Sequence, residues 1–352
     1  MLKSSTINPT SSPISISGVQ VCFFSDGQSL NYDRMANYES YKKSLAKFGT
    51  INLSNLIKEH FPSNGHKKLS CIITNPFVTW VADVAINHGI PCAMFWIQPC
   101  SLYAIYYRFY NKLNSFPTLT DPDMSVELPG LPLLHTEDLP SFVLPSILFG
   151  SLPKMFSEMF QNMKSGIGPL VPPSLLGEDE DHDRGVEMWK AEDTCTEWLN
   201  KEAPSSVIYV SFGSVVVLSA KQMECIAKAL KNSNSPFIWV VKQPDLPEPD
   251  GVPVIAYPKW SDQPTNAKLI VDVFRIGLRL RANQDGIVSN EEVERCIREI
   301  MDGPKSVELK SNARELRIAA REAVAGGGSS DKNILLFVDE IIESCVQLKH
   351  AM

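Results

Sequence analysis

The stretch FIWVVKQPDLPEPDGVPVIAY, residues 237–257, constrains the fold of this chain more than any other. FIWVV (237–241) and VPVIAY (252–257) are continuous apolar runs, the pattern of strands covered on both faces in a parallel sheet. Neighbouring parallel strands need a crossover of a dozen or more residues, usually helical. Only the ten residues KQPDLPEPDG lie between these two, and Pro244, Pro247 and Pro249 exclude a helix there. Asp250-Gly251 suits a hairpin turn, but a hairpin edge does not call for two uninterrupted apolar runs. On the residues alone, a connecting element is missing.

The rest of the chain alternates strand and helix patterns, which specifies an α/β fold with parallel sheets. GVQVCFF (18–24) is the first strand-like run, and residues 40–61 carry helical spacing. LSCIIT (69–74), PFVTWVADVAINHG (76–89) and IPCAMFWI (90–97) read as one βαβ unit, with Gly89 ending the helix. SLYAIYYRFYNKL (101–113) is an aromatic helix that either belongs to the core or lines a pocket. Residues 114–150 are Pro-punctuated loop. The Pro/Gly/acid-rich stretch 168–185 marks the domain boundary. Beyond it come a helix near 192–201, strands in SSVIYVSFG (205–213) and SPFIWVV (235–241), and helices near 290–303, 305–325 and 331–348. Ser219 with Gln222, and Ser289 with Glu292, have capping-box spacing.

Composition excludes several classes. The formal net charge is −7 over 352 residues, and no basic stripe is present, so nucleic acid is not an expected partner. No run approaches the roughly 20 apolar residues of a membrane span. Residues 1–18 are Ser/Thr/Pro-rich, lack a signal peptide's apolar segment, and are expected to be poorly ordered. The eight cysteines show no CxxC spacing and are expected to be buried thiols of a reducing compartment, placing the chain in the cytosol. None of the six histidines sits in a triad or metal-site spacing, and no metal is expected.

Three stretches have the chemistry of binding sites. SFGS (211–214) ends a strand ahead of a capped helix, where Gly213 permits a tight turn and backbone amides can hold phosphate. KWSDQ (259–263) follows a buried strand, and loops at the carboxyl ends of parallel strands are where α/β proteins bind ligands. Asp262 and Gln263 offer the donors and acceptors that sugar hydroxyls need, and Trp260 can pack on a ring face. GGGSS (326–330) lies between two helices and reads either as a joint or as a phosphate contact through Ser329 or Ser330.

SSVIYVSFGS, SPFIWVVKQPD, GVPVIAYPKWSDQPTNAKLI and GGGSSDKN together resemble the plant UDP-dependent glycosyltransferases of family 1. NPFVTWVADVA and PGLP…EDLPSF resemble the same family, so the likeness runs from about residue 19 onward. FFSDG, NPFVTWV and PKWSDQPTNAK resemble the branch that forms glucose esters of carboxylic acids. The resemblance implies two facing Rossmann-like domains of GT-B type. It divides the chain into an acceptor domain (1–170), a linker (171–191), a nucleotide-sugar domain (192–330) and a C-terminal helix (331–352) that packs back on the first domain. It implies UDP-glucose as donor substrate, no cofactor, a small-molecule acceptor and a monomer.

By the same resemblance, Trp260, Asp262 and Gln263 contact the donor sugar, and Ser211, Gly213 and Ser214 approach the diphosphate. Asn75 occupies the position that orients the general base. The histidine base itself, expected just after a first strand and ahead of the first helix, has no counterpart at the equivalent place in this chain. The uracil-stacking Trp, the phosphate-binding His, Asn and Ser, and the ribose-binding Glu are also without counterparts, and the break falls at 250/251. Both domains are therefore expected to be incomplete. The reaction implied is an inverting displacement of UDP by a deprotonated acceptor. A carboxylate acceptor is already ionised near neutrality and needs a base less than a phenol does. The alternative is a catalytically inactive shortened form, or a small-molecule-binding or regulatory protein.

Overall fold

The computed structural model describes residues 14–16, 19–29, 31–34, 37–62, 65, 68–145, 151–162, 193–212, 218–240 and 251–350. The expected linker, 171–191, lies outside them, as does most of the Pro-rich junction. The chain opens with β1 (Ile14–Ile16) paired antiparallel with β2 (Val19–Val21). This corrects the expectation that residues 1–18 lack order throughout, since Ile-Ser-Ile alternation suffices for one strand of a hairpin. Helix α1 (Tyr38–His60) follows.

β3 (Ile72–Thr74), α2 (Trp80–Asn87) and β4 (Cys92–Met94) form the expected βαβ unit, with β3 and β4 parallel and Ile72 opposite Cys92. Gly89 closes α2 at φ +63°, and His88 at its carboxyl end shares a 2.7 Å hydrogen bond with Ser54 Oγ on α1.

Helix α3 (Cys100–Tyr110) resolves the open reading of the aromatic stretch in favour of core. Leu102, Ile105, Tyr106 and Tyr110, at helical spacing, are buried. They pack on α4 (Ser151–Asn162), chiefly on Phe156 and Phe160. The loop between them is pinned by the Val126–Leu134 bridge and by two short 3-10 turns, Thr136–Asp138 and Ser141–Val143.

A second core gathers around α6 (Ala220–Asn232) and α8 (Asn290–Met301). After α5 (Asp193–Leu199), β5 (Ile208–Val210) pairs parallel with β6 (Phe237–Trp239). β7 (Val254–Ala256) pairs parallel with β8 (Gly277–Arg279) through α7 (Gln263–Lys268) and a wider turn in which Phe274 N–H donates to Leu269 O. Among the described residues β6 and β7 share no ladder, so the two apolar runs that flank the junction belong to separate strand pairs. Among the described residues each pair has open edges, and β6 and β7 are half-buried, with Phe237 exposed. The double coverage expected of them is not reached. Gly251 stands at φ +67°, with Arg317 of α9 (Ser306–Val324) against the position of a Cβ.

Ser219 and Ser289 cap α6 and α8, each accepting from the third residue of its helix. The reciprocal half of each expected box is diverted. Gln222, 2% exposed, instead bridges both backbone groups of Val288 and accepts from the Tyr257 hydroxyl. Glu292 accepts from Arg281 N–H and Arg295. The last helix, α10 (Ser329–His350), packs along α9. Ser329 and Ser330 lie within it, and Asp331 caps the preceding turn through Gly327 N–H. Of the cysteines described, only Cys296 is buried, while Cys92, Cys100 and Cys195 are exposed, against the expectation of buried thiols. For Cys92 the reason is that, among the described residues, β4 has β3 alone for a sheet neighbour.

Candidate functional site

The site is built at the carboxyl ends of β5 and β7. The two ends adjoin, because Phe212 after β5 meets Tyr257 after β7 edge-to-face at 5.9 Å. Ser211 is half-buried at the end of β5, whereas Gly213 and Ser214 lie outside the described residues. From β7 the chain runs into the Lys259–Gln263 loop. Lys259 Nζ stands 4.3 Å over the Tyr257 ring.

The loop is held in shape by its own side chains. Gln263 Oε1 accepts from the backbone N–H groups of Lys259 (2.8 Å) and Trp260 (3.4 Å). Asp262 opens α7 without a side-chain cap bond; its Oδ2 accepts from Asn266 Nδ2 at 2.8 Å. Between Trp260 and Asp262, Ser261 adopts φ +60°, a left-handed conformation uncommon outside glycine. Trp260 turns away from the second core and joins the first, meeting Phe142 edge-to-face at 6.4 Å.

That contact is one of several crossing between the halves. Ser261 N–H donates to Ser141 Oγ, and Ser141 N–H donates to Ser261 O, both at 2.9 Å. Arg279 Nη1 on β8 donates to Asp138 Oδ1 at 2.8 Å, and Nη2 donates to Glu137 O at 2.9 Å. Lys268 Nζ stands 3.4 Å from Asp138 Oδ2 and 2.8 Å from Asp272. The Asp272 carboxylate bond raises the Lys268 pKa, against burial and with help from Asp138. Thr265 Oγ1 donates to Asp138 O at 2.7 Å in a buried site.

Beneath the loop lies Tyr106, fully buried. Burial pushes its phenol well above the ordinary value, and the nearby negative charge of Asp262 adds to the shift. The Tyr106 hydroxyl has no hydrogen-bond partner among the described residues. Asn75 follows β3 at the corresponding strand end of the first half; its Oδ1 accepts from Phe77 N–H at 2.9 Å, making a local turn.

The structure therefore brings Trp260, Asp262 and Gln263 into one loop and places Ser211 at the adjoining strand end. Ser141, Asp138, Thr265, Lys268 and Arg279 were not singled out in the sequence; EDLPSF, which holds Asp138 and Ser141, and PKWSDQPTNAK, which holds Thr265 and Lys268, carried the signal. Among the described residues no cluster of three or more His, Cys, Asp or Glu could hold a metal ion, and no helix is long and apolar enough to cross a membrane.

The fold matches solved structures closely. It superposes on the rice (O. sativa) protein Os79 in complex with UDP at a TM-score of 0.78 and 25% identity, covering 94% of this chain and 92% of that one. The architecture is thus two facing Rossmann-like domains of GT-B type. No family model matches the sequence, but individual relatives do. UDP-glycosyltransferase 84B1 of Arabidopsis thaliana is 40% identical over 400 residues, covering 92% of this chain and 86% of the relative. Gallate 1-beta-glucosyltransferase 84A24 of Punica granatum is 33% identical, covering 97% and 80%. The chain belongs to the plant UDP-glycosyltransferases, a family of enzymes. The Arabidopsis alignment spans 400 positions, whereas 92% of 352 residues is about 324, so about 76 positions have no residue in this chain.

Proposed function

We propose that this chain is a glucosyltransferase whose donor is UDP-glucose and whose acceptor is a small carboxylic acid or phenol, with glucose transferred by inverting displacement. The observation that carries the reading is the Trp260–Gln263 loop. It stands at a strand's carboxyl end in the second half, against Phe142 of the first. A sugar bound there would face the acceptor side directly. In this reading Asp262 and Gln263 hold sugar hydroxyls, Trp260 lies beside the ring, and Ser211, Gly213 and Ser214 approach the diphosphate. Asn75 stands at the base-orienting position, and residues 1–170 and 192–330 are the acceptor and donor domains, joined by 171–191. The C-terminal helix (331–352) packs back on the acceptor domain. A carboxylic acid is the favoured acceptor class. The gallate enzyme of Punica granatum is 33% identical, and an ionised carboxylate makes little demand on a general base.

A second reading, a catalytically silent form that still binds small molecules, is favoured by the junction. β6 and β7 share no ladder among the described residues. A charge-assisted hydrogen bond to a phosphate oxygen is worth about 1–3 kcal/mol, and donor binding is weaker by that amount for every such bond without a counterpart here.

Calorimetric titration of the purified chain with UDP and with UDP-glucose, followed by incubation with UDP-glucose and a panel of aromatic acids, separates the two. Micromolar binding and formation of an alkali-labile glucose ester are expected for the transferase. Failure to form the ester, with the chain folded by circular dichroism, refutes it, and nucleotide binding retained without turnover supports the second reading.

A further inference from the structure

We propose that Asp138 is a positioning residue for glucosyl transfer: from the first half of the chain it sets the place of the sugar loop in the second. The inference rests on the proposed role of Trp260–Gln263 and adds how that loop is aimed.

Asp138 is 2% exposed and ends the Thr136–Asp138 turn. One carboxylate oxygen accepts from Arg279, and the other accepts from His135 N–H at 3.2 Å and stands beside Lys268. Its backbone oxygen accepts from Thr265. Arg279, Lys268 and Thr265 all lie on the segment that begins with the sugar loop and runs through α7 to β8. The paired Ser141–Ser261 bonds bracket the same segment at its front. The loop thus has one fixed point within it, at Ser261, and a second just beyond it, under α7.

The charges balance locally, with Asp138 and Asp272 facing Arg279 and Lys268. Burying such a group is not an efficient way to gain stability, because an apolar replacement of similar volume generally serves as well. What the ion cluster adds is direction. Arg279 contributes a planar fork that engages the Asp138 carboxylate and the Glu137 carbonyl together. Displacement at a sugar carbon needs the acceptor atom within about 3–3.5 Å and in line, and a misplacement of about 1 Å can lower the rate about 100-fold. Donor sugar and acceptor are presented by different halves of the chain, so a device that ties the sugar loop to the acceptor half controls that alignment.

The test compares Asp138→Asn, Arg279→Gln and the double variant with the wild-type full chain. Hydrogen exchange is followed in peptides covering 257–266, with α3 and α8 as internal references. Each single variant is expected to speed exchange in 257–266 about ten-fold or more and to leave the references within about two-fold. The double variant is expected to fall clearly short of the product of the two single effects, because the Arg279–Asp138 pair is lost in both. Unchanged exchange in 257–266, equal acceleration in the references, or multiplicative effects in the double variant each overturn the proposal. Arg279 is partly exposed, so Arg279→Gln keeps the test decisive where Asp138→Asn does not fold. Where the wild type binds nucleotide, UDP-glucose affinity is expected to fall about ten-fold while UDP affinity stays within about two-fold, and equal losses overturn the positioning role. A wild type that binds neither nucleotide refutes the proposed function, while the exchange comparison still decides whether Asp138 holds the loop.

Discussion

Two tyrosines one helical turn apart on α3 are expected to respond to the same substitution with opposite signs. Tyr106 and Tyr110 are both buried in the first core, with rings stacked on Phe156 and, for Tyr110, on Phe160. They differ at the hydroxyl. Tyr110 donates to Phe142 O at 3.0 Å, whereas the Tyr106 hydroxyl is buried with no partner among the described residues. A hydroxyl buried without a hydrogen bond costs about 1–3 kcal/mol, and Tyr106→Phe removes it while keeping the ring. The variant is expected to gain about 1 kcal/mol, after allowance for small repacking losses. Tyr110→Phe forfeits a hydrogen bond worth about 1 kcal/mol and strands a buried carbonyl, so it is expected to lose about 1–2 kcal/mol. The two variants should therefore lie about 2–3 kcal/mol apart, well outside the error of urea unfolding followed by circular dichroism with a common m-value. A loss of 1 kcal/mol or more in Tyr106→Phe would refute the reasoning: it would mean that the hydroxyl has a partner and that the floor beneath Asp262 is polar.

Further outcomes follow from local surroundings. A Cβ on Gly277 would run into Val254 O and Ile270 Cγ2, so Gly277→Ala is expected to destabilise the β7–β8 pair by about 1–3 kcal/mol and lower the urea midpoint. Gly326→Ala, in open space and without a positive φ, should leave that midpoint unchanged. Burial raises the Asp26 carboxyl pKa, but Arg34, bonded at 2.7 Å, and the Gln28 N–H together hold it below the ordinary carboxylate value. A folded-state value below the unfolded one gives stability that is present above about pH 4 and is lost as pH falls through the folded value. The protection factor in residues 25–52, the exchange rate of the unfolded chain over that of the folded chain at the same pH, should fall in that acid range, since Ser44 and Asn52 of α1 anchor the Ser25–Asp26 backbone. Asp26→Asn should show the lowered protection already at pH 7, and a wild-type protection factor that does not change with pH would count against the assignment.

Legibility in the sequence followed the range of the interaction. The β3–α2–β4 unit, the serine caps and the helical spacing of α3 were readable because each is set by neighbours a few residues away. Helix α4 was missed although Phe156 and Phe160 share a face, because Pro153 and the flanking polar residues mask its periodicity. Helix α7 and strand β8 were missed because six residues after an aspartate, and three that begin with glycine, carry too little pattern. The residues of the KWSDQ loop were visible as chemistry, but their anchoring was not. Thr265 and Arg279 reach Asp138 across 127 and 141 residues, and no local pattern records such a partner. The capping-box glutamine illustrates the same limit: spacing identified Gln222, while its actual partners, Val288 and Tyr257, come from the far side of the core.

The junction at 250/251 separates what folding needs from what recognition needs. Ile208, Val210 and Trp239 from one strand pair, and Ile255, Tyr257 and Leu280 from around the other, pack on one core although no ladder joins β6 to β7 among the described residues. Apolar burial is non-directional, and two strand pairs can share a core on side chains alone. Ligand binding is not so tolerant. In an α/β sheet the contacts come from loops at the carboxyl ends of particular strands, so a deleted strand removes its loop and every hydrogen bond that loop would make. The Lys259–Gln263 loop keeps its place because it follows β7 and is fastened to the first half through Ser141 and Asp138. Nucleotide affinity is therefore expected to suffer more from the shortened sheet than either the fold or the placement of Trp260, Asp262 and Gln263.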